Sequence, residues 1–141
     1  MEFDLTEEQK MIQRTVREFA AQEILPFARE NDRAERFPEG IIRKMGELGF
    51  TGAPVPEEYG GMGLDFISEA ILFEEIGYVD SSIRTTLSVQ LSLVELTLLQ
   101  WGTEEQKRRY LPRLARAEIL GCFGLTEPGA GSDPASMQTS A

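Results

Sequence analysis

One stretch near the end of the chain combines glycines, hydroxyl groups and acidic residues in a form that could hold a ligand. It runs from Phe123 to Asp133 and reads Phe-Gly-Leu-Thr-Glu-Pro-Gly-Ala-Gly-Ser-Asp. Glycines allow a backbone to approach a ligand closely, and successive backbone N–H groups in a turn can form an anion-binding concavity suited to a diphosphate. The stretch lacks the third glycine of a Rossmann fingerprint and the Gly-Lys-Ser/Thr of a P-loop. On the residues alone, an ordinary tight loop is the alternative.

A second candidate is a polar line within a strongly apolar segment. Arg84, Ser88, Ser92 and Glu95 follow one another at steps of four, four and three residues, which is helical spacing. Arg84 could receive a carboxylate, because its guanidinium stays charged and offers a planar pair of donors. A polar edge at a domain surface would produce the same pattern, so both interpretations stay open.

Composition excludes several other kinds of site. The 141 residues contain 14 Lys and Arg against 24 Asp and Glu, a net charge of −10, which disfavours binding to nucleic acid or to an anionic membrane. Without histidine and with Cys122 as its one cysteine, the chain cannot itself build a His-based nucleophile, a His-ligated metal site or an intrachain disulfide. The acidic N-terminus is unlike a signal or transit peptide and indicates a cytoplasmic protein, or a matrix protein in a mitochondrion.

Five helices are predicted to carry these residues. Thr6–Gln9 and Thr103–Gln106 both have the form of a capping box, in which a Thr hydroxyl and a Gln side chain satisfy the first backbone donors. Pro26 should kink or interrupt the first helix, because it removes a backbone donor. The helices are predicted to begin at Thr6, at Pro38, at Phe66 behind the cap Asp65, at Asp80 or Ser81, and at Thr103.

The last part of the chain changes character. Ile119–Leu125 reads as a strand with glycines, and alternation from Met137 to Ala141 resembles the start of a second strand. Two short strands do not make a stable sheet alone, so we expect the natural protein to continue. The sequence thus predicts a helical domain over 1–118 and the beginning of a β-domain over 119–141.

Three motifs in order resemble the acyl-CoA dehydrogenase family. They are Pro56–Gly61, Gly102–Lys107 followed by Tyr110–Pro112, and Leu125–Asp133. The resemblance covers the whole chain but only part of the longer family members. It implies a mainly α fold, an N-terminal helical bundle followed by the first strands of a truncated β-domain, with the catalytic carboxylate base beyond Ala141.

The resemblance also implies a cofactor and partners. Family members are FAD enzymes that oxidise an acyl-CoA to its 2,3-enoyl-CoA, with a carboxylate removing the α-proton and the flavin taking the β-hydride. Phe123, Leu125 and Thr126 would lie against the flavin ring. Gly131 and Ser132 would approach the diphosphate, with Ser132 also near the pantetheine of the substrate. Members usually pass electrons to an electron-transferring flavoprotein, and most are homotetramers, whereas this chain alone should be inactive.

A closer similarity, to the glutaryl-CoA dehydrogenase branch, concerns the substrate. It rests on Asp80–Arg84, Ser88–Gln90 and Gly121–Leu125, and implies that Arg84 and Ser88 bind the far carboxylate of the acyl chain. The sequence departs from that branch at Ile83, Leu91 and the pair Gly129-Ala130. An unspecified acyl-CoA is therefore favoured over a dicarboxylyl one. The alternative function is a free-standing helical module that binds an acyl-CoA or a partner protein without redox chemistry. Within the enzyme class, these residues do not distinguish an acyl-CoA oxidase from a dehydrogenase.

Overall fold

The computed structural model describes residues 4–140, which form a helical bundle followed by an extended segment. Two π-helical segments, Ala20–Ile24 and Val89–Glu95, interrupt the helices. The helices are α1 (Glu7–Phe19), α2 (Leu25–Arg33), α3 (Glu39–Glu47), α4 (Phe66–Val79), α5 (Ser81–Ser88), α6 (Leu96–Trp101) and α7 (Glu104–Ala115). The predicted mainly α fold is confirmed.

Local cap chemistry sets the helix starts, as predicted. The Thr6 hydroxyl accepts the Gln9 N–H at 3.2 Å while the Gln9 side chain accepts the Thr6 N–H at 3.0 Å. Thr103 and Gln106 repeat this capping box at the start of α7. Asp65 caps α4. These contacts satisfy backbone donors that no residue inside the helix can reach.

Pro26 interrupts the first helix without ending it. The π-helical segment Ala20–Ile24 precedes it, and Pro26 then lies in the first turn of α2. A proline there has no N–H to donate four residues back, and the wider π turn accommodates that missing bond. The chain therefore stays helical from Glu7 to Arg33.

The core lies where α1, α4 and α5 pack together. Its fully buried side chains include Val16, Leu72, Ile76 and Leu87. The loop after α3 packs against the end of α7, where the Thr51 hydroxyl donates to the Ala115 carbonyl at 2.8 Å. The bundle is thus closed by a buried loop as well as by helix contacts. None of the helices between residues 4 and 140 is long and apolar enough to cross a membrane.

The strands predicted after residue 118 are not formed within the described residues. Residues 120–126 have no regular structure, and one isolated bridge joins Glu127 to Ala130. The second predicted strand gives way to a short 3-10 turn at Pro134–Ser136 and an irregular end, and its last residue, Ala141, lies outside the described part. A strand needs a hydrogen-bonded neighbour, and none lies alongside in residues 4–140.

Candidate functional site

The site is organised by the long helical rod formed by α5, the π-helical segment Val89–Glu95 and α6. Asp80 starts the rod by accepting the Ser82 and Ile83 backbone N–H groups at 2.8 and 3.0 Å. A π turn holds more residues than an α turn, so it rotates every later side chain relative to an extrapolated α-helix. A face extrapolated from the residues before 89 at α-helical spacing therefore no longer holds at the end of this segment.

The predicted polar line is broken by this rotation. Arg84, Ser88 and Ser92 are half-buried, as an edge of the domain would be. Glu95, in contrast, is 0 % exposed. The expectation that Glu95 belongs to a surface edge is wrong, because the π-helical segment turns this side chain into the interior.

Arg84 and Ser88, the residues predicted for substrate binding, lie one turn apart on α5. The stem of Arg84 packs over Gly77 of α4, where an added Cβ would come within 3.2 Å of the Arg84 Cγ. Arg84 takes part in none of the ion pairs formed among residues 4–140. The Ser88 hydroxyl donates to the Thr85 carbonyl at 3.1 Å, which leaves its oxygen free to accept. An arginine with no ion-pair partner among the described residues, one turn from a hydroxyl, suits a carboxylate ligand.

Glu95 and Glu69 form a buried acidic pair between the rod and α4. Neither carboxyl oxygen of Glu95 has a hydrogen-bond partner among the described residues. Burial, and secondarily the charge of Glu69, raises the pKa of Glu95 to about 9. Burial also raises the pKa of Glu69, although the Ser92 hydroxyl, which donates to it at 3.3 Å, opposes that shift. Glu95 is therefore a neutral acid at neutral pH.

Gln90 is the residue of the rod whose role the sequence did not reveal. Its side chain is 2 % exposed. It accepts the Gly121 N–H at 2.9 Å and donates to the Leu114 carbonyl at 3.0 Å. The signal in the sequence was an amide inside the apolar run Leu87–Trp101, because a polar side chain buried there needs partners of its own.

The predicted cofactor-binding residues lie together on the exposed segment that follows. Phe123 and Leu125 are large apolar side chains with 50 % and 40 % of their surface exposed, and Thr126 and Ser132 are exposed as well. A Cβ built on Gly131 would meet nothing within 4 Å, as is also the case at the two glycines 124 and 129. Apolar side chains beside open backbone N–H groups fit a flat aromatic ring that carries a diphosphate.

Glu127 is held within this segment as part of its turn. Its backbone bridges Ala130, and its carboxylate accepts the Thr139 hydroxyl at 2.6 Å and the Gln138 N–H. The bond from Thr139 is the main reason that the pKa of Glu127 is lowered. An ionised carboxylate engaged in two bonds stabilises the turn and is a poor proton acceptor for a substrate.

The structure brings the predicted residues together in two groups. Arg84 and Ser88 lie on α5, and the five cofactor candidates lie on residues 123–132, with no hydrogen bond joining Ser132 to either residue of α5 in the described part of the chain. Between residues 4 and 140, no three His, Cys, Asp or Glu side chains are grouped so that they could hold a metal ion. The Gln90 side chain links the rod to Gly121, two residues before the exposed segment.

Comparisons with known proteins identify the family of this fold. Residues 6–118 match the model of the acyl-CoA dehydrogenase N-terminal domain. The whole chain aligns with the probable acyl-CoA dehydrogenase YngJ of Bacillus subtilis at 48 % sequence identity, and the aligned part covers 37 % of that protein. The chain thus spans little more than a third of the curated relative that it matches.

Solved structures give the same result in three dimensions. A structure described as an electron-transferring flavoprotein of Acidaminococcus fermentans superposes with a TM-score of 0.95 at 46 % identity, over 99 % of this chain and 37 % of that one. A glutaryl-CoA dehydrogenase in complex with glutaryl-CoA superposes with a TM-score of 0.93 at 44 % identity, over 97 % and 35 %. The chain belongs to the acyl-CoA dehydrogenase family, and residues 6–118 are its N-terminal helical domain.

Proposed function

We propose that this chain is the N-terminal part of an FAD-dependent enzyme that oxidises an acyl-CoA to its 2,3-enoyl-CoA. The observation that carries the proposal is the exposed segment 123–132, in which apolar side chains and open glycine backbone lie where a flavin could be bound. When bound, FAD would supply the hydride acceptor of the reaction. The similarity of the chain to acyl-CoA dehydrogenases supports this assignment.

Each residue of the segment has a distinct proposed task. Phe123 and Leu125 would cover the flavin ring and exclude water from it, and the Thr126 hydroxyl would hydrogen-bond to the ring. The backbone at Gly131 and the hydroxyl of Ser132 would hold the diphosphate, with Ser132 also near the pantetheine. Phe123 and Leu125 expose apolar surface that a bound flavin ring would cover.

The proton acceptor of the reaction is proposed to lie outside these residues. Among the carboxylates near the proposed site, Glu127 is engaged within its turn, and Glu95 is buried and neutral at pH 7. The 141-residue chain by itself should consequently be inactive and should bind FAD weakly. Electron transfer to an electron-transferring flavoprotein and assembly into a homotetramer are proposed for the complete enzyme.

A redox assay of the complete enzyme tests the assignment. The purified protein is expected to contain FAD, whose absorbance should bleach anaerobically when an acyl-CoA is added, with the enoyl-CoA as product. The 141-residue chain serves as the comparison and should show no bleaching. A complete protein that binds acyl-CoA yet holds no flavin would contradict the proposal and favour a binding module.

For the substrate, the more specific proposal is an acyl-CoA whose acyl chain ends in a carboxylate. It rests on Arg84, which is half-buried, lacks an ion-pair partner within residues 4–140, and lies one turn from the Ser88 hydroxyl. A guanidinium without an ion-pair partner among the described residues could pair with a ligand carboxylate through charge-assisted hydrogen bonds, so such a ligand would be bound selectively. An acyl-CoA without this group is the competing substrate.

Substitution of Arg84 separates these two substrates. In the complete enzyme, Arg84→Ala should lower kcat/KM for glutaryl-CoA roughly 10–150-fold, since a hydrogen bond to a charged group contributes about 1.5–3 kcal/mol. The loss for butyryl-CoA should be much smaller. Arg33→Ala, at an exposed position at the end of α2, is the matched control. Equal losses on both substrates would show that Arg84 does not recognise a carboxylate.

A further inference from the structure

The side chain of Gln90 connects the helical rod to Gly121, two residues before the first of the proposed flavin-contacting residues. We propose that Gln90 is a positioning residue, which fixes the flavin-contacting segment to the helical rod that carries Arg84 and Ser88. This inference rests on the proposed function for its catalytic consequence, whereas its structural claim stands on the contacts of Gln90 alone.

Both the oxygen and the nitrogen of the Gln90 side-chain amide form hydrogen bonds. Its Oε1 accepts the Gly121 N–H at 2.9 Å, and its Nε2 donates to the Leu114 carbonyl at 3.0 Å, with a longer contact of 3.5 Å to the Ile119 carbonyl. With 2 % of its surface exposed, Gln90 has almost no access to water that could replace these bonds. An amide held at both ends in this way fixes the backbone that it touches.

A second contact holds the same backbone against the rod. A Cβ added at Gly121 would lie 2.4 Å from the Val94 Cγ1, so only a glycine allows the chain to pass this close. Gln90 and Val94 both lie in the π-helical segment Val89–Glu95. This segment therefore presents one residue that bonds to Gly121 and another that packs on it.

The hydrogen bond between Gln90 and Gly121 joins positions that are close in sequence to the two groups of proposed ligand-contacting residues. Gln90 lies two residues after Ser88, and Gly121 lies two residues before Phe123. Few rotatable bonds separate the acyl-binding side chains from the flavin-contacting ones once the Gln90 bonds are made. Hydride transfer demands close alignment of the reacting groups, and a displacement of about 1 Å can lower the rate roughly 100-fold. Loss of the Gln90 bonds should therefore affect kcat more than KM.

The single cysteine of the chain allows the structural claim to be tested directly. Cys122 is exposed and follows Gly121, so a nitroxide spin label attached to it in the complete enzyme, with any cysteine beyond residue 141 replaced, reports the mobility of this segment. Gln90→Leu should convert a restricted spectrum into one dominated by a mobile component, while helical circular dichroism is retained. Gln100→Leu, an exposed glutamine on the same rod, is the matched control and should leave the spectrum unchanged.

A second variant disturbs the same backbone through its contact with Val94. Gly121→Ala leaves Gln90 intact but forces the chain away from Val94, and it should also mobilise the label on Cys122. It keeps the inference testable if Gln90→Leu fails to fold. Unchanged label mobility in the folded variants would overturn the inference, whatever the protein catalyses.

The complete enzyme tests the catalytic consequence. Gln90→Leu should lower kcat roughly 100-fold, change KM for the acyl-CoA only a few-fold, and weaken FAD binding. A mobile label together with unchanged kcat and FAD affinity would overturn the positioning role. If the wild-type enzyme itself neither holds flavin nor oxidises an acyl-CoA, the proposed function fails, and the label experiment still decides whether Gln90 fixes the segment.

Discussion

Glu95 should make this domain lose stability as the pH rises through neutrality. Its pKa is raised to about 9 by burial and by Glu69, against 4.5 for an ordinary glutamate. The folded protein then holds a proton that the unfolded chain releases above about pH 4.5. Since the folded-state pKa is the higher one, the contribution is full below the unfolded value and is lost as the pH rises toward 9.

The size of the effect follows from the difference in pKa. Each pH unit between the two values lowers the free energy of unfolding by about 1.4 kcal/mol, so the loss between pH 5 and pH 7 is about 2–3 kcal/mol. Glu95→Gln keeps the shape of the neutral acid and removes the titration. The variant should therefore be more stable than the wild type by about 3 kcal/mol at pH 7 and by less than about 1 kcal/mol at pH 5.

Urea unfolding followed by helical circular dichroism at pH 5, 6, 7 and 8 measures this difference. Comparison of variant and wild type at each pH cancels the titration of all other groups. Glu69→Gln removes the neighbouring charge, so it should lower the pKa of Glu95 and with it the pH at which the loss of stability ends, while Glu47→Gln, at an exposed position on α3, should leave the pH dependence unchanged. If Glu95→Gln keeps the wild-type slope and gains no stability at pH 7, the assignment of a buried proton to Glu95 is wrong.

Three further predictions concern the architecture. Thr103→Ala should destabilise the domain by about 1 kcal/mol in urea unfolding, because it removes the capping box of α7. Gly46→Ala should lower stability by about 1–3 kcal/mol, since its Cβ would lie 2.4 Å from the Arg116 carbonyl oxygen, whereas Gly124→Ala, in open space, should not. Truncation after Glu118 should leave helical circular dichroism and Tm largely unchanged, and protease should cleave 119–141 first; a large loss of helix would move the domain boundary.

The features that the sequence predicted well are determined by neighbouring residues. Thr6 and Thr103 build their caps from partners three residues away, and α4 begins at Phe66 directly behind Asp65. Such contacts are available whatever the rest of the chain does. The predicted strand Ile119–Leu125, in contrast, depends on a neighbouring strand, which the described residues do not supply.

The burial of Glu95 escaped prediction for a different reason. An extrapolation at 3.6 residues per turn assumes a continuous α-helix, and it placed Glu95 in line with Arg84 and Ser88. The π-helical segment Val89–Glu95 changes the period within the helix, so the faces before and after it no longer coincide. Nothing in local propensity indicates such a segment.

Two unusual features, the π-helical segment Val89–Glu95 and the buried acid Glu95, both lie on the rod that carries the proposed substrate residues. Gln90 is buried with its bonds made, and Glu95 is buried with none made among the described residues. A π-helical segment and a buried unpartnered acid both lower stability, and such costs persist mainly where function requires them. Gln90 has such a function in the attachment of Gly121. The same argument makes the stabilising variant Glu95→Gln informative in the complete enzyme, where a gain in stability accompanied by a loss of kcat would show that the buried acid serves the reaction.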